Sequence, residues 1–174
     1  MKKILIVILM LGVSFVSTAQ NFEKYEEMAD VNGVFITENM FKLLSKLDIE
    51  SDKEDQQYFE MIKSLEGLKV LSTTNSKIGS EMKTDAEKYI SSGGLEELMR
   101  VKNDGKSLKF YSKPGNSEEK IRQLFMFMTQ DEDTTTRYVL LSLTGNIDLN
   151  KVGELSGKLK GVPGAEDLKN IKSK

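Results

Sequence analysis

Two alternating runs flank Asp104-Gly105, and this stretch constrains the fold of the chain more than any other. From Glu97 to Asn103, Leu98, Arg100 and Lys102 oppose Met99 and Val101. After the Asp-Gly pair, Leu108, Phe110 and Ser112 alternate with Lys109 and Tyr111. Period-two alternation puts successive side chains on opposite faces of a strand. Asp-Gly supplies the positive-φ residues that a two-residue hairpin turn requires. The chain therefore contains an antiparallel hairpin, and a sheet must be built around it.

Two later segments extend that sheet. Residues 118–130 admit helix or strand by pattern. Leu124-Phe125-Met126-Phe127-Met128 reads as strand because Tyr138-Val139-Leu140-Leu141-Ser142-Leu143 offers an antiparallel partner across the polar loop Asp131 to Thr136. Both runs are apolar on both faces, which predicts central strands with cover over each face. Gly145 then ends the last strand. Asn146 tolerates turn geometry, and Asp148 caps a helix bearing Val152, Leu155 and Leu159. On this reading the Gly-Asn-x-Asp passage is a strand-to-helix handover rather than a binding site. Gly153 and Gly157 permit close helix–sheet approach.

Helical spacing dominates the first half. Asn21 caps a short helix with Phe22, Tyr25 and Met28 on one face, and Asn32-Gly33 breaks it. Val34-Phe35-Ile36 reads as a short buried strand. Thr37 caps a helix whose Met40, Phe41, Leu43, Leu44 and Leu47 share one buried face. Ser51-x-x-Glu54 is a capping box for a further helix bearing Tyr58, Met61/Ile62 and Leu65. Gly67 ends that helix, and Leu68 to Ser72 reads as strand. Ile78, Met82, Ala86 and Tyr89/Ile90 form another helical face, stopped by Ser91-Ser92-Gly93-Gly94. Lys113-Pro114-Gly115-Asn116 is a turn. The sum is an α+β domain, expected as a two-layer sandwich in which helices cover a mainly antiparallel sheet.

The amino terminus carries an address. Lys2 and Lys3 precede an apolar run from Ile4 to Val16, and Ser17-Thr18-Ala19 supplies small residues before Gln20. This is the anatomy of a secretory signal peptide cut between Ala19 and Gln20. The run is shorter than the roughly 20 residues of a spanning helix, so no stable membrane span is expected after its removal. The expected organisation is a signal peptide over 1–19, one α+β domain over 20–160 and a polar tail over 161–174. Cleavage leaves 23 basic and 27 acidic side chains, net −4. That balance argues against nucleic acid as a partner.

The absent residue types narrow the chemistry. The chain has no histidine, cysteine or tryptophan. Ser-His-Asp and Cys-His nucleophile systems, histidine-bearing zinc sites, thiol redox chemistry and His or Cys haem ligation are excluded. The lack of cysteine also excludes a lipid anchor at the cut and leaves stability to packing. Carboxylate pairs and Ser-Lys chemistry survive formally. Glu26-Glu27, Glu96-Glu97 and Glu118-Glu119 are adjacent and point apart, which does not suit shared acid/base work. Ser45-Lys46 and Ser156-x-Lys158 lack the spacing that puts both groups on one helix face.

The segments "VFITENMFKLL", "LEGLKVLSTTN" and "YVLLSLTGNIDLNKVGEL", with the leader ending in Thr-Ala-Gln, resemble the domain of unknown function 4252 family over about Phe22 to Leu159. The resemblance implies an α+β domain in secreted or envelope proteins of Gram-negative bacteria. It implies no activity. Family-level association with sigma-factor systems implies a role in envelope stress as an alternative.

Asp131-Glu132-Asp133 lacks the spaced ligands and glycine of a calcium loop and reads as a solvated hairpin tip. Asp133-Thr134-Thr135 resembles an O-glycan acceptor pattern of exported proteins, with Thr134 as acceptor. Met40, Met61, Met82, Met126 and Met128 fall on apolar faces and read as core filling. No catalytic, cofactor-binding or metal residue is assigned, and no cofactor is expected. The expectation is an exported, non-enzymatic binding or accessory module of the periplasm or the secreted fraction. Its partner would be an unidentified envelope protein or glycan. A stress-sensing component and a carboxylate-dependent hydrolase are the alternatives.

Overall fold

A computed structural model describes residues 22–46, 59–117 and 119–151. The signal segment 1–19 with its Ala19–Gln20 cut, the capping box at Ser51 and Glu54, the helix of Val152, Leu155 and Leu159, and the tail 161–174 lie outside the described residues. A single 3-10 turn, Glu23–Tyr25, leads into β1 (Asn32–Thr37) and α1 (Glu38–Leu44). Helical residues 59–63 precede β2 (Leu65–Thr73). α2 (Ser76–Ser92) follows, and then four strands: β3 (Glu96–Asn103), β4 (Lys106–Pro114), β5 (Lys120–Glu132) and β6 (Thr135–Asp148).

The strands form one antiparallel sheet in the order β1-β2-β6-β5-β4-β3. The last four strands are a meander, each joined to the next by a short connection. The predicted hairpin lies at Asp104-Gly105, where both residues take positive φ, 33° and 77°. That is the backbone a tight turn needs to match the right-handed twist of its strands. The β5–β6 turn is shorter than the sequence suggests. Pairing continues to Glu132 and Thr135, leaving Asp133 and Thr134 at the tip.

Cross-strand rows explain why β5 and β6 are apolar throughout. Val34, Val70, Leu141, Met126, Phe110 and Met99 sit side by side across all six strands. From Val70 to Met99 this row belongs to an apolar cluster that also takes in Phe41 of α1 and Met61 and Ile62, while Val34 at the edge stays exposed. On the opposite face Leu71, Leu140 and Phe127 pair in turn and pack with Met82 and Ala86 of α2. The described helices thus contribute to both faces of a mainly antiparallel sheet. Met61, Met82, Met126 and Met128 fill these clusters.

Several sequence expectations are corrected. Val34 to Ile36 is a strand, but it lies at the sheet edge and is largely exposed. On α1 only Phe41 is buried, and Met40 and Leu43 face solvent. A strand with a neighbour on one side only cannot bury both of its flanks, and the short helix after it inherits that position. Leu65 opens β2 rather than closing a helix, and Gly67 lies within the strand next to a bulge. Gly145 does not end β6. The strand runs on to Asp148, and Gly145 takes φ +144° beside Leu65. A Cβ there would stand 2.3 Å from the Ser64 carbonyl oxygen, so glycine lets two backbones touch.

Candidate functional site

The described surface departs from an ordinary soluble exterior along the β1 edge. Val34 is 49%, Phe35 44%, Met40 45% and Leu43 58% exposed. Met40 and Leu43 lie three residues apart and form one row on the flank of α1. Val34 shares the face of Val70, while Phe35 points to the other face opposite Lys69. β1 pairs with β2 over six consecutive residues, with no register shift. None of Asn32 to Thr37 is charged or proline. The other sheet edge differs. β3 carries Glu96, Glu97, Arg100 and Lys102, and its pairing is interrupted by a bulge between Glu97 and Met99. Charges and bulges are how edge strands are blocked against further pairing. One edge has both devices and the other has neither.

A cleft of about 350 Å³ opens beside Phe35. Its floor is the row Phe35, Lys69, Ser142, and Thr144 lies in its lining. Its carboxylates are Glu23, Glu26, Glu38 and Glu66. Glu26 pairs with Lys69, and Glu38 pairs with Lys42 at 2.6 Å. Among the described residues, Glu23 and Glu66 have no ion-pair partner. The cleft is therefore acidic, with one lysine at its floor.

The wall that bears Glu23 and Glu26 is held firmly. Phe22 and Tyr25, on either side of Glu23, are fully buried. Phe22 stacks on Phe125 at 5.8 Å and meets Tyr89 edge-on at 5.7 Å. The Tyr25 hydroxyl donates to Asp85 Oδ2 of α2 at 2.8 Å, and Lys24 pairs with the same oxygen at 2.6 Å. Burial, reinforced by the hydrogen bond to Asp85, pushes the Tyr25 hydroxyl up to about 12. Burial acts to raise the Asp85 carboxyl. The hydrogen bonds from Lys24 and Tyr25 outweigh it and hold Asp85 below the usual carboxylate range. Deeper in, Tyr89 Oη donates to Gln123 Oε1 at 2.7 Å, and Gln123 Nε2 donates to Ser142 Oγ at 2.8 Å. This chain of polar contacts joins α2 to the floor of the cleft.

The residues singled out from sequence are dispersed. Gly145 and Asn146 line a neighbouring polar cleft of about 330 Å³ with Asn116 and Arg122, and Glu66 is shared with the acidic cleft. Arg122 Nη2 donates to Asn116 Oδ1 at 2.9 Å there. The Asn146 N–H donates to the Ser64 carbonyl at 2.8 Å, and Asp148 Oδ1 accepts from the Asn150 N–H at 3.0 Å. Asp148 caps as the sequence suggested, whereas Gly145 and Asn146 lie within β6 and neither ends the strand nor forms a turn. Asp131 accepts from Thr136 Oγ1, and Glu132 accepts from Arg137 Nη2. Among the described residues no three acidic side chains gather as a metal would require. Thr134 is exposed at the β5–β6 tip, where a polar hollow is lined by Thr74, Ser76 and Asp131. Glu97 is tied to Arg100 at 2.7 Å on the charged edge.

Sequence reasoning missed the acidic cleft. Its four glutamates come from the 3-10 turn, α1 and β2, and no spacing along the chain links them. Nor did Val34 and Phe35 show as surface, because a short apolar run reads the same at an edge as in a core. Among the described residues no helix is long and apolar enough to cross a membrane. The family model described as Domain of unknown function (DUF4252) matches residues 25–155. Searches of the curated proteins and of the solved structures found no match.

Proposed function

This chain belongs to the DUF4252 family, and on that premise we propose that it is an exported, non-enzymatic binding module that recognises its partner through the β1–α1 rim. The observation that carries the reading is the contrast between the two sheet edges. β1 is uncharged, unbulged and flanked by exposed Val34, Phe35, Met40 and Leu43, whereas β3 is charged and bulged. Exposed apolar groups gathered on one rim cost solubility unless a partner covers them. An open strand edge offers main-chain hydrogen bonds to such a partner. The sheet serves as the scaffold, covered by helices as in a sandwich, and the β1 edge, which has no further described strand beside it, is left for recognition.

Export follows from the leader, and the envelope of a Gram-negative bacterium is the proposed compartment. A carboxylate-dependent hydrolase is the second reading; with Glu26 and Glu38 engaged by lysines, Glu23 and Glu66 are the pair it would have to use. A regulatory partner would make the module a stress sensor. Thr134, at an exposed tip, is the proposed O-glycan acceptor. A sugar mass increment on native protein should vanish in Thr134→Ala, and unmodified native protein ends that assignment.

The test of the rim is site-specific photo-crosslinking in native cells. A benzophenone side chain at position 35 should trap one discrete protein, and the same group at position 102 on β3 should not. Equal patterns from both positions, or none from position 35, would overturn the reading.

A further inference from the structure

We infer that the occupant of the β1 rim is an extended polypeptide segment with alternating apolar and basic side chains, added as a seventh strand. This deepens the binding reading above and rests on it. An added strand presents alternate side chains to opposite faces of the sheet. On one face its residues would lie beside Val34 and near the Met40–Leu43 row of α1, so that set is apolar. On the other face they would lie beside Phe35 and the cleft that holds Glu23, Glu26, Glu38 and Glu66. Lys69 neutralises Glu26, and Glu23 and Glu66 are left to meet a basic group. Lysine or arginine fits this set doubly, because the aliphatic stem covers the Phe35 ring while the charge reaches the carboxylates.

A second copy of this chain is the natural rival, since β1 could pair with itself. Antiparallel pairing about a twofold axis normal to the sheet keeps like faces together. It would bring two such clefts side by side, with four glutamates, Glu23 and Glu66 of each copy, that no described lysine or arginine pairs. Like charges brought together in this way disfavour the pairing. β1 itself contributes no charge to offset them.

The test uses purified protein and fluorescent, end-capped octapeptides: alternating Lys/Val, alternating Glu/Val, alternating Ser/Val, and a Lys/Val isomer with the same composition in two blocks. Titrations are read by anisotropy, and hydrogen exchange reports the β1 amides. The Lys/Val peptide should bind about tenfold or more tighter than the Ser/Val and Glu/Val peptides and should slow exchange across 32–37. Glu23→Gln with Glu66→Gln should remove most of that preference. Val34→Lys should weaken all the alternating peptides, and an unchanged melting temperature would show the variant is folded. Equal binding of the Lys, Ser and Glu peptides at β1 would overturn the basic pattern and leave the rim as a binding edge. Equal binding of the block isomer would overturn strand addition. A dimer that Val34→Lys dissociates would overturn the inference in favour of self-pairing. A monomer that protects β1 with no peptide would overturn the inference.

Discussion

Tyr25 illustrates how one side chain serves both stability and the site. Its ring is buried and its hydroxyl reaches Asp85, which fixes the turn that carries Glu23 and Glu26. Its native pKa, about 12, lies above the ordinary value of 10.0. The unfolded chain therefore loses this proton first as pH rises. The Tyr25 contribution is fully present below pH 10 and is lost between pH 10 and 12, on the order of 2 kcal/mol. Tyr25→Phe should cost about 1–2 kcal/mol at neutral pH and should flatten that alkaline decline. Denaturant melts of both proteins at pH 8, 10 and 12 would show it, and parallel declines would refute it. Asp85 works in the opposite direction. Its depressed pKa stabilises the fold above the ordinary carboxylate value, and that contribution is lost as pH falls through its folded pKa. At Gly145, φ +144° and the Ser64 carbonyl leave no room for a Cβ. Gly145→Ala should destabilise by about 2–4 kcal/mol by equilibrium unfolding.

Elements differ in how far sequence alone could describe them. The β3–β4 hairpin and α2 were legible because their signals are local: Asp104-Gly105 between alternating runs, and Met82 and Ala86 on one helical face. Asn75 was not named as a cap, yet its Oδ1 accepts from the Lys77 and Ile78 N–H groups. β1 was legible as a strand but not as an edge. Position in a sheet is set by partners far along the chain, here β2 on one side and no described strand on the other. The same blindness hid the cleft, whose glutamates meet through that strand order. The edge assignment has a stability consequence. Phe35→Lys should change unfolding free energy by no more than about 0.5 kcal/mol. Leu140→Ala, in the fully buried centre of β6, should cost about 2–5 kcal/mol. Comparable losses from both would mean that β1 is not at the edge.

At the scale of the whole molecule, β2 and β6 join the two ends of the described chain. They pair from Leu65–Gly145 to Thr73–Tyr138. The meander from β3 to β6 forms through short connections, whereas this pairing closes a long loop and should come late. Native-state hydrogen exchange should accordingly show β5 and β6 amides opening only with global unfolding, and β1 amides opening first. Uniform protection across the sheet would contradict that order. The unequal edges also set a limit on assembly. A sheet that accepts a strand on one side and refuses it on the other has a valence of one. Such a molecule can cap a growing row of strands, but it cannot be a link within one.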